Sequence, residues 1–169
     1  MPPQPSLVAV LADTHLPRGS RRLPPACVER LRSADLILHA GDFVSLAAFE
    51  ELRQLGPPVA AVHGNVDEPA VREMLPSELR VEVGAVTIGL VHEPGARLER
   101  HVRLARRFPG CAAVVYGHTH VPECERHDGV WMLNPGSPTE RRRAPAHTML
   151  MLEVTGDAIR PELVRLPIP

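Results

Sequence analysis

Three short apolar runs in the first half of the chain constrain its fold more than any other feature. Residues 7–12, 36–40 and 59–62 are of strand length and almost continuously apolar, which is typical of strands that are covered on both faces. Segments 24–34 and 45–55 separate them and carry apolar residues at helical spacing. The order strand, helix, strand, helix, strand predicts parallel pairing through right-handed crossovers. The sequence therefore predicts an α/β fold.

The second half of the chain changes to the alternating pattern of antiparallel strands. After a short predicted helix over residues 69–75, residues 79–83 and 86–91 alternate as the two arms of a hairpin. A helical stripe over 98–108 and an apolar run over 112–116 follow. Two further hairpins are predicted from turn signals, which are Asp128-Gly129 and Gly156-Asp157.

Length and charge limit the classes of protein to which the chain can belong. With 169 residues the chain is within the size of one domain and long enough to bury a core, so we expect a single domain over residues 1–169. The formal net charge is -1, which gives no global basic field and makes nucleic acid a disfavoured partner. A homo-oligomer is compatible with this composition.

Three further features predict a cytoplasmic protein without a membrane partner. No apolar run approaches the roughly 18 residues that a membrane helix needs. Residues 1–6 contain no basic segment, and residues 7–11 are too short for a signal-peptide core. Cys27, Cys111 and Cys124 match neither a disulfide framework nor a CxxC zinc site, which is typical of reduced thiols in the cytosol.

Side chains that bind metals follow the predicted strands at the points where these strands end. In parallel sheets the ligand site lies at the carboxyl ends of the strands. Residues two apart in an extended chain point the same way, so His118 and His120 should reach one cavity, with Gly117 turning the backbone and Thr119 facing away. The full set of strand-end residues is Asp13, His15, Asp42, Asn65, His92, His118 and His120.

Nitrogen and oxygen donors without a thiolate suit divalent Mn, Fe, Zn, Co or Ni. Seven donors are too many for one open ion, but with Asp42 as a bridge they can hold two ions about 3.5 to 4 Å apart, and a bridging hydroxide would then be the nucleophile. Each residue alone has a plainer interpretation. Asp13 or Asp42 alone is as compatible with a turn or helix cap, Asn65 with a left-handed turn, and His92 with a loop histidine. Their convergence on one sheet edge favours the metal centre.

Short motifs in a fixed order resemble the calcineurin-like metallophosphoesterase superfamily. The resemblance covers about residues 7–137, and its late part resembles the small phosphodiesterase branch. It implies a four-layer α/β/β/α sandwich and a phosphodiesterase with two divalent ions, of which Mn is favoured. The motifs are Asp13-x-His15, Gly41-Asp42, Gly64-Asn65-Val66-Asp67, His92, Gly117-His118-x-His120 and Asn134-Pro135-Gly136-Ser137.

The resemblance also implies a role for each motif residue. The first ion would be bound by Asp13, His15, Asp42 and His120. The second ion would be bound by Asp42, Asn65, His92 and His118. The catalytic residues would be Asp42, Asn65 and His118.

Two positions depart from the pattern of the superfamily. Many members have His after the Gly-Asn pair, where this chain has Val66, so the expected general acid is missing. Small phosphodiesterases often show His-Gly-His where this chain has His92-Glu93-Pro94. Glu93 is therefore expected near the phosphate, and the sequence leaves open whether Glu93, as a carboxylic acid held neutral by burial, or water replaces the missing histidine.

Several polar residues near the predicted ligands keep two interpretations. His39 and His63 either orient ligands by hydrogen bonds or have a core or loop role. Asp67 either has the same orienting role or caps the following helix. The arginines at 141–143 either meet a substrate phosphate or are solvated. Ser137 has no identifiable base partner, so we do not expect it to be a nucleophile.

Two functional hypotheses of different class follow. The first is a metal-dependent phosphodiesterase that hydrolyses a small, nucleotide-derived or other phosphoester. The second is a catalytically weak scaffold, similar to a retromer subunit of this superfamily that also lacks the motif histidine and works through protein contacts. A scaffold can lose ligands without penalty, and all seven positions here retain ligating side chains, so the sequence favours the enzyme.

Overall fold

The computed structural model describes residues 4–167, in which strands and helices alternate and then strands dominate. The strands are β1 (Ser6–Leu11), β2 (Leu36–His39), β3 (Val59–Ala61), β4 (Glu78–Val83), β5 (Val86–Val91), β6 (Ala113–Val115), β7 (Glu123–His127), β8 (Val130–Asn134), β9 (His147–Thr155) and β10 (Ala158–Leu166). The helices are α1 (Pro25–Ser33), α2 (Leu46–Arg53), α3 (Pro69–Met74) and α4 (Arg100–Arg107).

The strands form two sheets of five. The first has the order β10-β9-β1-β2-β3 and the second the order β4-β5-β6-β8-β7. Strands β1, β2 and β3 are parallel, with Val10 beside Leu38 and Ile37 beside Val59, which confirms the predicted crossovers. The C-terminal hairpin adds β9 antiparallel to β1. In the second sheet, β5, β6 and β8 are parallel, and β4 and β7 pair at the edges.

The apolar runs are continuous because each central strand is covered on both faces. In β1, Val8 and Val10 pack between the two sheets, whereas Ala9 and Leu11 pack against the layer that contains α1, α2 and α3. Leu104 of α4 packs with residues of the second sheet in a third cluster. The order of layers is therefore helix, sheet, sheet, helix, and the predicted four-layer α/β/β/α sandwich is confirmed.

Local signals place the helices within two residues of their predicted bounds. The Ser45 hydroxyl accepts a hydrogen bond from Ala48 N and caps α2. Proline begins both α1 and α3, where its missing N–H costs no helical bond. No helix in residues 4–167 is long and apolar enough to cross a membrane.

Cysteine chemistry adds nothing to the fold. Cys27, Cys111 and Cys124 are free, and burial raises the pKa of Cys27 to about 12, which leaves this thiol unreactive. The expectations for the chain ends, namely the lack of a basic N-terminal segment and the outer limits of the predicted domain, rest partly on residues 1–3 and 168–169, which lie outside the described residues.

Candidate metal centre

The loops that follow β1, β2, β3, β5 and β6 carry the predicted ligands, and side-chain contacts join all seven. Asp13 Oδ1 lies 3.4 Å from His120 Nε2, 3.8 Å from His15 Nε2 and 3.9 Å from His92 Nε2. Asp42 Oδ2 lies 3.2 Å from His92 Nε2 and 3.5 Å from His15 Nε2. Contacts through Asn65 attach His118 to the same cluster.

One group within this cluster is completely buried and lacks hydrogen-bond partners. Asp13, His15 and His120 are at most 1% exposed, and their ligand atoms lie within 4.8 Å of one another. Within residues 4–167, Asp13 Oδ1, His15 Nε2 and His120 Nε2 have no hydrogen-bond partner. Buried polar atoms are rarely left unpaired in a native protein unless an ion or water completes them.

Each of the two carboxylates has one oxygen fixed and the other aimed at the centre. Asp13 Oδ2 accepts a hydrogen bond from His118 N at 2.9 Å, so Oδ1 faces the histidines. Asp42 Oδ1 accepts a hydrogen bond from Val66 N at 3.0 Å, so Oδ2 faces His92 and His15. Asp42 Oδ2 therefore lies between the two predicted ligand sets, in the place that a bridge requires.

The predicted second ligand set is more open. Asn65 and His118 are exposed, whereas His92 is buried. Asn65 Oδ1 lies 2.9 Å from His92 Nε2 and 3.1 Å from His118 Nδ1. The two imidazole rings are 5.3 Å apart and almost perpendicular. This half of the centre thus satisfies its polar atoms internally and faces solvent.

The prediction that His118 and His120 lie in extended chain is wrong. Both have positive φ, at 71° and 61°, and so do Asp13 at 55°, His15 at 45° and Asp42 at 64°. Left-handed backbone is uncommon for residues other than glycine and is concentrated at functional sites. The convergence of these five side chains results from sharp turns after β1, β2 and β6. Thr119 faces away as expected and contacts Asn134.

Two glycines permit the close approach of these loops. A Cβ atom at Gly64 would overlap Asp42 Oδ1, and one at Gly117 would lie 2.8 Å from Ala12 Cβ and 2.9 Å from Asp13 Oδ2. Any larger residue at either position would displace a carboxylate that faces the centre. The glycines of the Gly-Asn and Gly-His motifs are therefore steric requirements of the site.

Asp67 supports the loops and does not cap a helix. Its Oδ2 accepts hydrogen bonds from Gly64 N at 2.6 Å and Asp42 N at 3.0 Å, and its Oδ1 accepts one from Val44 N at 2.7 Å. Glu68 precedes α3 and makes no side-chain cap bond to it. Of the two interpretations of Asp67, the structure supports the orienting role, because one carboxylate fixes the loops after β2 and β3.

His39 is a core histidine beside the centre. It is fully buried, stacks on Phe43 at 3.6 Å, contacts Thr14 Oγ1 at 3.1 Å and accepts a hydrogen bond from Gly41 N. Burial lowers its pKa to about 3, so it is neutral near pH 7. It braces the backbone next to His15 and Asp42 without touching their side chains. His63 is half-buried and contacts Gly64 O.

The carboxylates and His92 have opposite pKa shifts. Burial alone would raise the pKa of Asp13, but the nearby imidazoles of His120, His15 and His92 hold it well below the ordinary value. Burial also opposes ionisation of Asp42, yet His92 lowers its pKa. Burial would lower the pKa of His92, but Asp42 and Asp13 raise it above its ordinary value. Without ions, the two carboxylates thus lose their protons more readily, and His92 keeps its proton more readily, than the same groups do in water.

The structure does not place an obvious general acid at the two departures from the family pattern. Val66 is 38% exposed beside Asn65 and offers only its backbone N–H, which Asp42 already accepts. Glu93 is exposed, so the burial that would keep its carboxylic acid neutral is absent. The structure therefore does not support the alternative in which Glu93 is a neutral acid, although the residue does lie beside His92 in the cleft where it was expected.

Sequence reasoning missed Glu140 and found Ser137 only by resemblance. The Glu140 carbonyl oxygen accepts a hydrogen bond from His120 Nδ1, and its carboxylate lies 3.6 Å from His15 Nδ1. The Ser137 hydroxyl donates to Asp13 O at 2.8 Å and accepts a hydrogen bond from Glu140 N at 2.8 Å. Ser137 is therefore a brace, in agreement with the expectation that it is no nucleophile. No sequence pattern predicts the role of Glu140, because this role depends on a main-chain carbonyl group and on contacts with residues that are distant in sequence.

The arginines at 141–143 are solvated, which is the plainer of their two interpretations. Residues 141–143 are exposed, and the Arg141 guanidinium donates to Ala144 O within its own loop. These arginines do not line the cleft that opens onto the centre.

The donor set fits a divalent ion on the observations of this structure. His120 Nδ1 and His92 Nδ1 both face carbonyl oxygens, of Glu140 and Ala40, and must donate to them. In the neutral rings Nε2 then carries a lone pair, and these lone pairs converge with Asp13 Oδ1 and Asp42 Oδ2. Acceptors that face one another need a cation between them.

Comparisons with known proteins agree with this geometry. The sequence model of the calcineurin-like phosphoesterase superfamily domain matches residues 7–157. A probable metallophosphoesterase from Methanothermobacter thermautotrophicus is 34% identical over 165 residues, which cover 96% of this chain and 94% of that protein. A solution structure of a Thermotoga maritima protein is 33% identical with a TM-score of 0.75 and covers 95% of this chain and 99% of its own. A crystal structure of Vps29 from Entamoeba histolytica complexed with Zn²⁺ is 26% identical with a TM-score of 0.76 and covers 94% of this chain and 98% of its own.

Proposed function

We propose a function for this chain from the premise that it belongs to the calcineurin-like phosphoesterase superfamily. It acts as a metal-dependent phosphodiesterase on a small phosphoester. The observation that carries the proposal is the set of buried, unpaired atoms Asp13 Oδ1, His15 Nε2 and His120 Nε2, which lie beside exposed polar groups that a substrate can reach.

The residues divide between two ions as the resemblance implies. Asp13, His15, Asp42 and His120 would hold the first ion. Asp42, Asn65, His92 and His118 would hold the second. Bound there, two divalent ions, with Mn favoured, supply an activated water and neutralise the phosphate oxygens.

The residues of the chain have separate tasks in this proposal. Asp42 joins the two halves because its Oδ2 contacts both His15 and His92. Asn65 uses its Oδ1 toward the histidines, which leaves its amide nitrogen free to donate to a phosphate oxygen. His118 is exposed, so an incoming ester can reach its ring. These three residues would be the catalytic residues, and the others would hold and orient.

The chain offers little help to the leaving group. Val66 cannot donate a proton from its side chain, and Glu93 is exposed. A phenolate is a good leaving group and departs without being protonated. An alkoxide leaves from an alkyl ester only with general acid catalysis, which typically contributes about 10² to 10⁴ in rate. The favoured substrates are therefore diesters with good leaving groups.

A substrate panel tests the proposal directly. Metal-free protein is given Mn²⁺ and assayed against aryl phosphodiesters, cyclic nucleotides and alkyl phosphomonoesters. We expect turnover of the aryl diesters that requires Mn²⁺ and disappears in His120→Ala. Equal turnover by wild type and His120→Ala would contradict the proposal, because a trace contaminant would then account for the activity.

The scaffold hypothesis is the second candidate, and the likeness to Vps29 structures supports keeping it. In that case the centre would be a structural metal site, and the protein would act through contacts with another protein. Metal binding without turnover of any ester in the panel would favour the scaffold over the enzyme.

A further inference from the structure

A cleft of about 680 Å³ opens beside the more exposed half of the centre. Its wall includes Asn65 and His92, which are proposed ligands of the second ion. Small-molecule sites commonly have volumes of about 300 to 1,000 Å³. An ester bound at the second ion would therefore extend one of its groups into this cleft.

Positive side chains line the cleft away from the ligands. They are Arg72 on α3 and Arg103 and Arg107 on α4. Arg107 forms an ion pair with Glu78. Arg72 and Arg103 form no ion pair with any carboxylate in residues 4–167. These two of the three positive charges are therefore available to a bound anion.

Backbone carbonyls hold these two guanidinium groups at the wall of the cleft. Arg72 donates to Asp67 O at 2.8 Å and to Asn65 O, so its charge lies directly behind a proposed ligand. Arg103 donates to Leu98 O at 2.5 Å and to Ala96 O. Carbonyl dipoles orient a guanidinium group without neutralising it. Both side chains are exposed, so a bound anion can reach them.

The chemistry of the wall selects for a second anionic group. The planar guanidinium fork matches phosphate oxygens, and it binds them in a bidentate manner. Glu93 also lines the cleft and forms no ion pair in the described part of the chain. A carboxylate repels phosphate but accepts hydrogen bonds from hydroxyl groups. A group that suits the whole cleft therefore carries a phosphate for the arginines and a hydroxyl for Glu93.

We propose that this cleft binds the non-leaving group of the substrate and selects a hydroxylated group that carries its own phosphate, as in a sugar phosphate or a nucleotide. This inference rests on the proposed function, since it concerns the same site. Arg72 and Arg103 are the residues that give the preference. The aryl diesters of a laboratory assay, whose non-leaving group carries no charge, then lack half of the recognition that the natural ester has.

Two matched esters test the preference. Both are p-nitrophenyl phosphodiesters, and the second alcohol is either propane-1,3-diol or its monophosphate. The leaving group is the same, so the ratio of the two kcat/KM values reports the effect of replacing the terminal hydroxyl by a phosphate. In wild type we expect a ratio of at least about ten in favour of the phosphate-bearing ester, which is the size of one charge-assisted contact.

Variants on α4 provide the control. Arg103→Gln should reduce the ratio about tenfold, mainly by lowering kcat/KM for the phosphate-bearing ester, and Arg103→Lys should keep part of the preference because the charge remains. Arg106→Gln lies three residues along the same helix, is exposed and lines a different cavity, so it should leave the ratio unchanged. High salt should reduce the wild-type ratio.

The outcomes separate the inference from the proposed function. Hydrolysis of both esters at equal efficiency in wild type, or equal ratios in Arg103→Gln and Arg106→Gln, would overturn the inference and leave the proposed function intact. If neither ester is hydrolysed, calorimetric binding of propane-1,3-diol monophosphate decides. Binding that Arg103→Gln weakens about tenfold and Arg106→Gln does not would support the inference alone, and no binding would overturn it.

Discussion

The two halves of the centre differ in burial and in how their polar atoms are paired. Asp13, His15 and His120 are buried, and their central atoms lack partners within residues 4–167. Asn65 and His118 are exposed and are joined by a hydrogen bond. Removing an ion from the first half would leave costly unpaired atoms, whereas the second half can pair internally. We therefore expect the first half to bind its ion more tightly.

The scaffolding of the two halves explains the difference. The first half is enclosed by the segment after β8, because Ser137 and Glu140 contact Asp13, His15 and His120. The second half is bordered by the cleft. A protein that must admit a substrate needs one open side, and the structure supplies it next to Asn65.

The largest expected effect comes from the residue that joins the halves. Asp42→Ala should abolish binding of the ion pair and reduce diesterase activity at least about 10²-fold, because two ions contribute several kcal/mol to the transition state. Metal analysis of the purified variant and the Mn²⁺-dependent assay measure both. Asp157→Ala, in the exposed turn between β9 and β10, is the control and should behave as wild type. Two ions bound to Asp42→Ala at unchanged affinity would refute the bridge.

The second prediction concerns the general acid that the open half lacks at Val66. Val66→His should raise hydrolysis of alkyl esters by up to about 10²-fold and flatten the dependence of the rate on leaving-group pKa. A series of substituted phenyl diesters measures that dependence in wild type, Val66→His and Glu93→Gln. A flat dependence in wild type that becomes steep in Glu93→Gln would show that Glu93 donates the proton despite its exposure.

The buried half can be loosened through Glu140. Glu140→Gln keeps the carbonyl bond to His120 but removes the charge beside His15. Such supporting groups typically change metal affinity about 10- to 100-fold, and the first ion should be the one affected. Titration with Mn²⁺ in Glu140→Gln and in Glu125→Gln, a surface control near His127, makes the comparison. Weakening of the second ion alone would contradict the assignment of Glu140.

The smallest expected difference between the halves is in how pH affects their affinity for metal ions. Competition between an ion and one proton changes the affinity by at most about tenfold per pH unit. The pKa of His92 is raised above its ordinary value of 6.5, so an ion must displace a proton there below the raised pKa. Affinity for the second ion should therefore rise with pH through that range. Protonated His92 also stabilises the folded, metal-free protein. This stabilisation is fully present below pH 6.5 and is lost as the pH rises through the raised pKa of His92. Calorimetric titrations at several pH values measure the proton release, and a pH-independent second ion would exclude His92 as its ligand.

The fold was predictable because burial on both faces of a strand leaves a direct record in the sequence. The runs before Asp13, Asp42 and Asn65 are almost continuously apolar, and the strands lie where these runs predict them. The direction of the side chains was not predictable in the same way. His118 and His120 converge through left-handed turns, which apolar periodicity does not encode.

The support of the site was predictable only in part. Asp67 lies two residues after Asn65 in the sequence, and only its contact with Gly64 N follows from that position, because Asp42 N and Val44 N belong to a loop that is distant in sequence. Ser137 holds Asp13 from 124 positions away, and no local pattern reports such a contact. Glu140 contacts His120 through its main-chain carbonyl and His15 through its carboxylate, and both partners are distant in sequence, so no local pattern reports either contact.

The central claim is that the two halves bind ions in a fixed order. Metal-free protein crystallised with less than one equivalent of Mn²⁺ would give the position of the first ion from anomalous scattering, and a calorimetric titration would give both affinities. We predict one tightly bound ion among Asp13, His15, Asp42 and His120, and a second, at least about tenfold weaker, beside Asn65, His92 and His118. A first ion seated beside Asn65 and His118, or two ions of equal affinity, would contradict this account.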